Sequence, residues 1–218
     1  MASQEPKGLL ISFEGIDFCG KTTQVSLLQR HLIAKGHQVV VVREPGGTKI
    51  SEKIREILLD KENLRMEPTS EMLLYQASRA QLTAEVVLPA LKKKKTVLCD
   101  RYFDSTTAYQ GYGRGLDLQL LEKVNQLATF SLKPNLTFIL DISPKEAFAR
   151  AVNSKLVRDR MEKQRLSFYQ KVRKGYLRIA ESEPDRFRVF PGRESIKKIA
   201  GLIADEVDIL IQKSGHRR

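Results

Sequence analysis

Gly15-Ile16-Asp17-Phe18-Cys19-Gly20-Lys21-Thr22-Thr23 is the stretch on which the reading of this chain turns. An apolar run, Leu9-Leu10-Ile11-Ser12-Phe13, precedes it, and Val25, Leu27-Leu28 and Leu32-Ile33 follow at helical spacing. Strand, glycine-bounded loop and amphipathic helix, in that order, are the setting that the phosphate-binding loop G-x-x-x-x-G-K-[ST] requires. Gly15 and Gly20 let the backbone turn so that successive N–H groups, through Ile16, Asp17, Phe18, Cys19 and on to Thr23, aim at one anion. Lys21 adds a point charge near the outer phosphates, the Thr22 hydroxyl can ligate magnesium, and the next helix presents its positive end to the same place. The stretch therefore predicts binding of a nucleoside triphosphate.

The rest of the chain is consistent with one soluble domain. It has 218 residues, 41% hydrophobic and 29% charged, which suffices for a proper core. No apolar run is long enough to span a bilayer, and Met1–Gly8 carries no apolar signal core, so a cytoplasmic location is expected. Cys19 and Cys99 are too few for a disulfide framework and suit a reducing compartment. The net charge of +12 asks for acidic partners, either nucleic acid or phosphorylated small molecules. Part of the excess, Lys92–Lys95 and the last residues 213–218, reads as solvated surface and a frayed tail.

Five strand-like runs, Leu9–Phe13, Gln38–Val42, Thr96–Cys99, Asn135–Leu140 and Phe187–Val189, alternate with helical patterns. Helices are expected over Lys21–Ala34, Ser51–Leu59, Thr69–Leu91, Asp117–Thr129, Pro144–Ala151, Arg160–Ala180 and Ser195–Ile211. This alternation predicts a three-layer α/β fold of the P-loop NTPase type, a five-stranded parallel sheet with helices on both faces. Ligands should gather at the carboxyl ends of the strands. Polar segments sit there: Arg43-Glu44-Pro45-Gly46-Gly47-Thr48 after the second strand and Asp100-Arg101-Tyr102 after the third. A carboxylate in Asp100's place suits magnesium organisation, and Arg101 can clamp a phosphate, although an Asp–Arg structural pair satisfies the same sequence. Tyr75 and Arg79, four apart on one helix face, can stack on a base and bond to its edge, or pack in the core. The basic segment from Lys145 to Arg165 reads equally as a lid, a charged helix surface or a nucleic-acid contact.

Taken together, FEGIDFCGKTTQ, REPGGT, LLYQASRAQ, DRYFDSTTAYQGYGRGL and RDRMEKQRLSFYQKVRKGYLRIA resemble the thymidylate kinase family in the same order along nearly the whole chain. The resemblance implies a single domain, 1–218, that phosphorylates dTMP to dTDP with ATP and magnesium, has a short helical lid at about 145–165, and forms a homodimer. It makes Gly15–Thr23 the ATP loop, with Thr22 and Asp100 toward magnesium. Tyr75 would stack on thymine, Arg79 would reach a thymine carbonyl, and Gln110 would help read the base. Tyr109 would stand under the sugar, and Asp17 and Glu44 would organise the sugar hydroxyl, the acceptor phosphate and metal-bound waters. Arg101 and Arg55 would hold the dTMP phosphate in a site that includes Pro45 and Ser105. Phe18 replaces a family glycine or arginine, so the charge on the transferred group falls to Lys21 and the lid arginines, Arg158 foremost, then Arg150 and Arg160. Ser78 and Leu82 replace a family aspartate and histidine. The competing expectations are a kinase for another pyrimidine nucleoside monophosphate and a nucleic-acid-dependent ATPase. The second is disfavoured because the chain shows no aromatic platform for nucleic acid.

Overall fold

The computed structural model describes residues 8–153, 159–162 and 164–214. Its strands are β1 (Leu9–Glu14), β2 (Val39–Arg43), β3 (Thr96–Asp100), β4 (Leu136–Asp141) and β5 (Phe187–Pro191), all parallel in one sheet of order β2-β3-β1-β4-β5. β1 is buried along its whole length, and it pairs with β3 from Leu9↔Thr96 and with β4 from Ile11↔Leu136. Successive side chains of β1 enter opposite layers, as strand alternation demands. Leu9, Ile11 and Phe13 join Leu28, Phe138 and Val207, whereas Leu10 joins Val97, Leu82 and Leu91 on the other side.

The helices are α1 (Lys21–Ala34), α2 (Lys49–Leu59), α3 (Pro68–Leu82), α4 (Leu88–Lys92), α5 (Phe103–Thr106), α6 (Leu118–Ala128), α7 (Pro144–Asn153), α8 (Leu166–Ser182) and α9 (Ile196–Lys213). The expected helix over Thr69–Leu91 is interrupted by a π-helical turn, Thr83–Val87, between α3 and α4. Pro89 supplies the reason, because it has no N–H for the carbonyl one turn back and its ring crowds that carbonyl. The expected helix from Arg160 starts only at Leu166. Asp159 and Glu162 cap each other instead: the Asp159 N–H donates to Glu162 Oε2 at 3.1 Å and the Glu162 N–H to Asp159 Oδ1 at 2.9 Å. That reciprocal bonding closes a turn of its own ahead of α8. α5 and its π-helical continuation, Thr107–Gly113, were not anticipated, since two glycines and three threonine or serine residues read as loop. No helix among the described residues is long and apolar enough to cross a membrane.

β1 lies between β3 and β4, so the chain leaves it for opposite sides of the sheet and opens a crevice at the carboxyl ends. The loop Gly15–Gly20, the turn after β2 and the Asp100–Arg101 corner all reach that crevice.

Candidate active site

The loop after β1 folds as its glycines dictate. Gly15 has φ +131° and a Cβ there would lie 2.7 Å from the Leu140 carbonyl oxygen, while Gly20 caps α1 at φ +103°. Phe18 adopts φ 61°, which costs a non-glycine residue about 1 kcal/mol. Lys21 is buried, and its Nζ donates to the carbonyls of Gly15 at 3.2 Å and Ile16 at 2.9 Å. Cys19 Sγ lies 3.6 Å from the same Nζ, and both Cys19 and Cys99 are buried free thiols. The Thr22 hydroxyl donates to Asp100 Oδ2 at 2.6 Å, so the two candidate magnesium residues are in direct contact. No group of three His, Cys, Asp or Glu among the described residues could hold a metal unaided. A hydroxyl beside one carboxylate fits magnesium, which keeps waters and takes its remaining ligands from phosphates.

A cavity of about 550 Å³ runs from this loop to α3, within the range of ligand pockets. Asp17 stands in it and gathers three donors: Arg101, the Tyr109 hydroxyl at 3.0 Å and the Tyr169 hydroxyl at 2.8 Å. Burial works against its charge, but Arg101 and Lys21 outweigh burial and hold the carboxyl below the usual range. Arg101 also has a positive φ, 73°, and its Nη1 donates to the Gly15 carbonyl at 2.9 Å, tying the corner after β3 to the phosphate loop. Ser105 donates to Glu14 Oε2 at 2.6 Å and meets the Tyr176 hydroxyl at 2.8 Å. Glu14, fully buried, takes further donors from Ser12, the Tyr102 N–H and Tyr176. Burial, with the charge of Asp104, raises its pKa to about 7.

At the far end the cavity is lined by Pro45, Arg55, Tyr75, Arg79, Thr106 and Gln110. Arg55 donates to the Pro45 carbonyl at 2.9 Å, and the Glu44–Pro45 peptide is cis. Arg79 is only 1% exposed and its N–H groups are fully engaged. Nε and Nη2 meet Glu44 Oε2 at 2.7 and 2.6 Å, Nη1 meets Gln76 and Thr106 at 2.9 Å each, and Nη2 meets the Tyr102 carbonyl at 3.2 Å. Thr106 Oγ1 accepts from Arg79, and Thr106 lines the cavity. Beneath Tyr75, one turn earlier on α3, lies Glu71, which receives Gln110, Arg114 and Arg160. Glu71, Arg114, Thr106 and Glu14 were not singled out from sequence. The one usable signal was that Glu71, Tyr75 and Arg79 recur every four residues on one helix face.

Residues 13–203 match the family model described as thymidylate kinase. The chain belongs to the thymidylate kinase family. It is 48% identical to the thymidylate kinase of Caldanaerobacter subterraneus subsp. tengcongensis, over 93% of this chain and 96% of that protein. It is 52% identical to that of Prosthecochloris aestuarii, over 82% of this chain and 83% of that one. The crystal structure of thymidylate kinase from Ehrlichia chaffeensis superposes with a TM-score of 0.76 at 34% identity, covering 92% of this chain and 98% of that one.

The departures from the thymidylate kinase pattern have different structural accounts. Ser78 Oγ accepts the Gly46 N–H at 3.2 Å and its carbonyl accepts Ser51, so it braces the turn after β2 and leaves Arg79 to other partners. Leu82 is fully buried against Gly47. Phe18 lines the cavity, and Arg150 reaches the same loop from α7, donating to the carbonyls of Phe18 and Cys19 at 3.4 Å and of Gly192 at 2.7 Å. Arg158 lies outside the described residues. Arg160 does not line the cavity with Arg150: it is 3% exposed, with Nη1 on Glu71 at 2.6 Å and Nε on the Leu58 carbonyl at 2.8 Å. Arg160, one of the three lid candidates, thus sits in a buried ion pair, where Glu71 outcompetes solvent for it.

Proposed function

We propose that the chain transfers the terminal phosphoryl group of ATP to the phosphate of dTMP, giving ADP and dTDP, with Gly15–Thr23 holding ATP and the Tyr75–Arg79 face of α3 holding the base. The observation that carries this reading is the single cavity that joins Lys21, Thr22 and Asp100 at one end to Tyr75, Arg79 and Gln110 at the other, with Arg101 between them. The acceptor phosphate is anionic at neutral pH, so the site needs alignment and charge neutralisation and no general base. That suits a cavity without a lining histidine; His31 pairs with Asp208 elsewhere on the surface.

Lys21 and the loop amides bind the ATP phosphates. Magnesium, when bound, neutralises phosphate oxygens, and Thr22 and Asp100 are the residues that would hold it. Asp17 keeps Arg101 and Tyr109 in place, so that Arg101, with Arg55, aims the dTMP phosphate while Tyr109 packs under the sugar. Arg79 fixes Glu44 and polarises the Thr106 hydroxyl, which is the donor available to a base carbonyl. Pro45 and Ser105 complete the dTMP side. Arg150 is the described lid cation best placed to meet the charge developing opposite Phe18, where the loop itself supplies none.

An ADP-release assay with ATP and magnesium against dTMP, dUMP, UMP, dCMP, dGMP and thymidine tests the reading. Strong preference for dTMP supports it; ADP release indifferent to all six, but raised by DNA or RNA, overturns it. A homodimer is part of the same proposal. α3 and α6 pack together and leave Leu73, Leu120 and Leu127 about half exposed or more, an apolar surface suited to a second copy. Sedimentation at the mass of one chain would exclude it.

A further inference from the structure

Behind the base end of the cavity lies a charge the proposed chemistry does not use. Glu71 is completely buried, and each of its oxygens takes two N–H donors. Oε1 accepts Gln110 Nε2 at 2.9 Å and Arg114 Nε at 3.1 Å; Oε2 accepts Arg114 Nη2 at 3.0 Å and Arg160 Nη1 at 2.6 Å. A carboxylate between two guanidiniums is ionised, and an ionised carboxylate only accepts. Burial opposes the charge, but the bonds from Arg114 and Gln110 and the charge of Arg160 outweigh it, so the carboxyl stays below its ordinary range.

Gln110 must answer this charge with its NH2 group. An amide's two ends are ordinarily interchangeable in a structure, but beside an acceptor-only neighbour one orientation is forced. Gln110 itself lines the cavity, no described group donates to its Oε1, and that atom is not sealed in the interior. The pocket thus meets a base with a hydrogen-bond acceptor at this position. Thymine and uracil carry a hydrogen on N3; cytosine presents a bare lone pair there.

We propose that Glu71 is a specificity-positioning residue: by binding the Gln110 NH2 it turns the Gln110 carbonyl oxygen toward the base, so that the site accepts pyrimidines with an N3 hydrogen and rejects those without one. This rests on the base lying against α3, as in the proposed function, and goes beyond it by assigning the discrimination to a residue that does not touch the nucleotide. Without Glu71's charge, Gln110 is free to rotate and serve either kind of edge.

Titration calorimetry of dTMP, dUMP and dCMP tests this separately from catalysis. In Glu71→Gln the preference for dTMP over dCMP is expected to fall about tenfold or more, as loss of one oriented buried hydrogen bond implies, with dTMP over dUMP changed by less than about threefold. In the Gln110→Met background, Glu71→Gln is expected to leave the dTMP:dCMP ratio within about threefold, since the group it acts through is gone. An unchanged dTMP:dCMP ratio in the single variant overturns the proposal. So does an equal fall in both ratios, or a fall that persists in the Gln110→Met background, because each marks general loss of the pocket. Should Glu71→Gln fail to melt cooperatively, Gln110→Glu decides. Beside ionised Glu71 its carboxyl must donate its proton inward and present its carbonyl oxygen to the base, so the preference for dTMP over dCMP persists at about pH 6. A preference for dTMP over dCMP that is absent at that pH overturns the proposal. Selective dTMP binding without ADP release would overturn the phosphoryl-transfer reading and leave this one standing; binding of none of the three overturns both.

Discussion

Arg160→Met separates two jobs that an arginine of the basic segment can do. Arg160 is buried, with Nη1 2.6 Å from Glu71, Nε 2.8 Å from the Leu58 carbonyl and Nη2 without a partner. Removing one member of a buried ion pair costs about 3–5 kcal/mol when the other charge is stranded. Here Glu71 keeps Arg114 and Gln110, and the variant also removes the orphaned Nη2, which relieves about 1 kcal/mol. The net expectation is a loss of about 2 kcal/mol, seen as a fall of about 4–8 °C in melting temperature for a domain of this size. Methionine retains the aliphatic packing, so the loss reports the guanidinium. Turnover, measured by ADP release at a temperature where the variant is folded, should change by less than about threefold, since nothing from Arg160 lines the cavity. The opposite result, an unchanged melting temperature with turnover down about 100-fold, is what loss of a preorganised donor to the transferred phosphoryl group gives. It would show that Arg160 leaves Glu71 during the reaction and refute the structural role.

Three further outcomes are expected. Arg150→Ala should lower kcat by about 10²–10³-fold with little change in melting temperature, because its side chain is exposed on α7 and, among the described residues, bonds to loop carbonyls; a change below about threefold moves the role to Arg158. Asp17→Asn removes the charge that holds Arg101 and Tyr109, so the KM for dTMP should rise about tenfold or more while that for ATP changes little; equal effects on both substrates would contradict the placement. Glu14 has its pKa raised by burial to about 7, above its unfolded value, so its contribution to stability is fully present below about pH 4.5 and is lost as pH rises through 7. Glu14→Gln removes that dependence, so from about pH 5 to 8 the variant should gain up to about 3 kcal/mol relative to the parent chain; parallel melting profiles over that interval would refute it.

The strands and the phosphate loop were legible because their signals are local. Leu9–Phe13 and Val39–Val42 are apolar runs of strand length, and Gly15 and Gly20 sit where the structure has φ of +131° and +103°. The contact of Thr22 with Asp100 follows from that frame, since β1 and β3 are neighbours, Asp100 ends β3, and Thr22 lies in the first turn of the helix that follows the loop after β1. The helix from Phe103 through Gly113 was hidden by its composition, because a π-helical turn admits glycine and threonine at positions that an α-helical pattern scores as loop.

The base end was only half legible, for a reason that lies in electrostatics. Tyr75 and Arg79 share a face by periodicity, but what Arg79 does is set by Glu44 and Thr106, 35 and 27 residues away, which engage the N–H groups a base would otherwise use. Glu71 is a more distant case, gathering Arg114 from 43 residues and Arg160 from 89 residues along the chain. In the sequence Arg150 and Arg160 belong to one basic segment and cannot be told apart. In the fold one is exposed and reaches the phosphate loop, while the other is sealed against a buried carboxylate. Desolvation makes that difference decisive, because a buried guanidinium cannot leave its carboxylate without stranding a charge, whereas an exposed one exchanges carbonyl for phosphate at small cost. The lid cation should thus be sought among arginines whose present partners are neutral carbonyls, and Arg150 meets that condition.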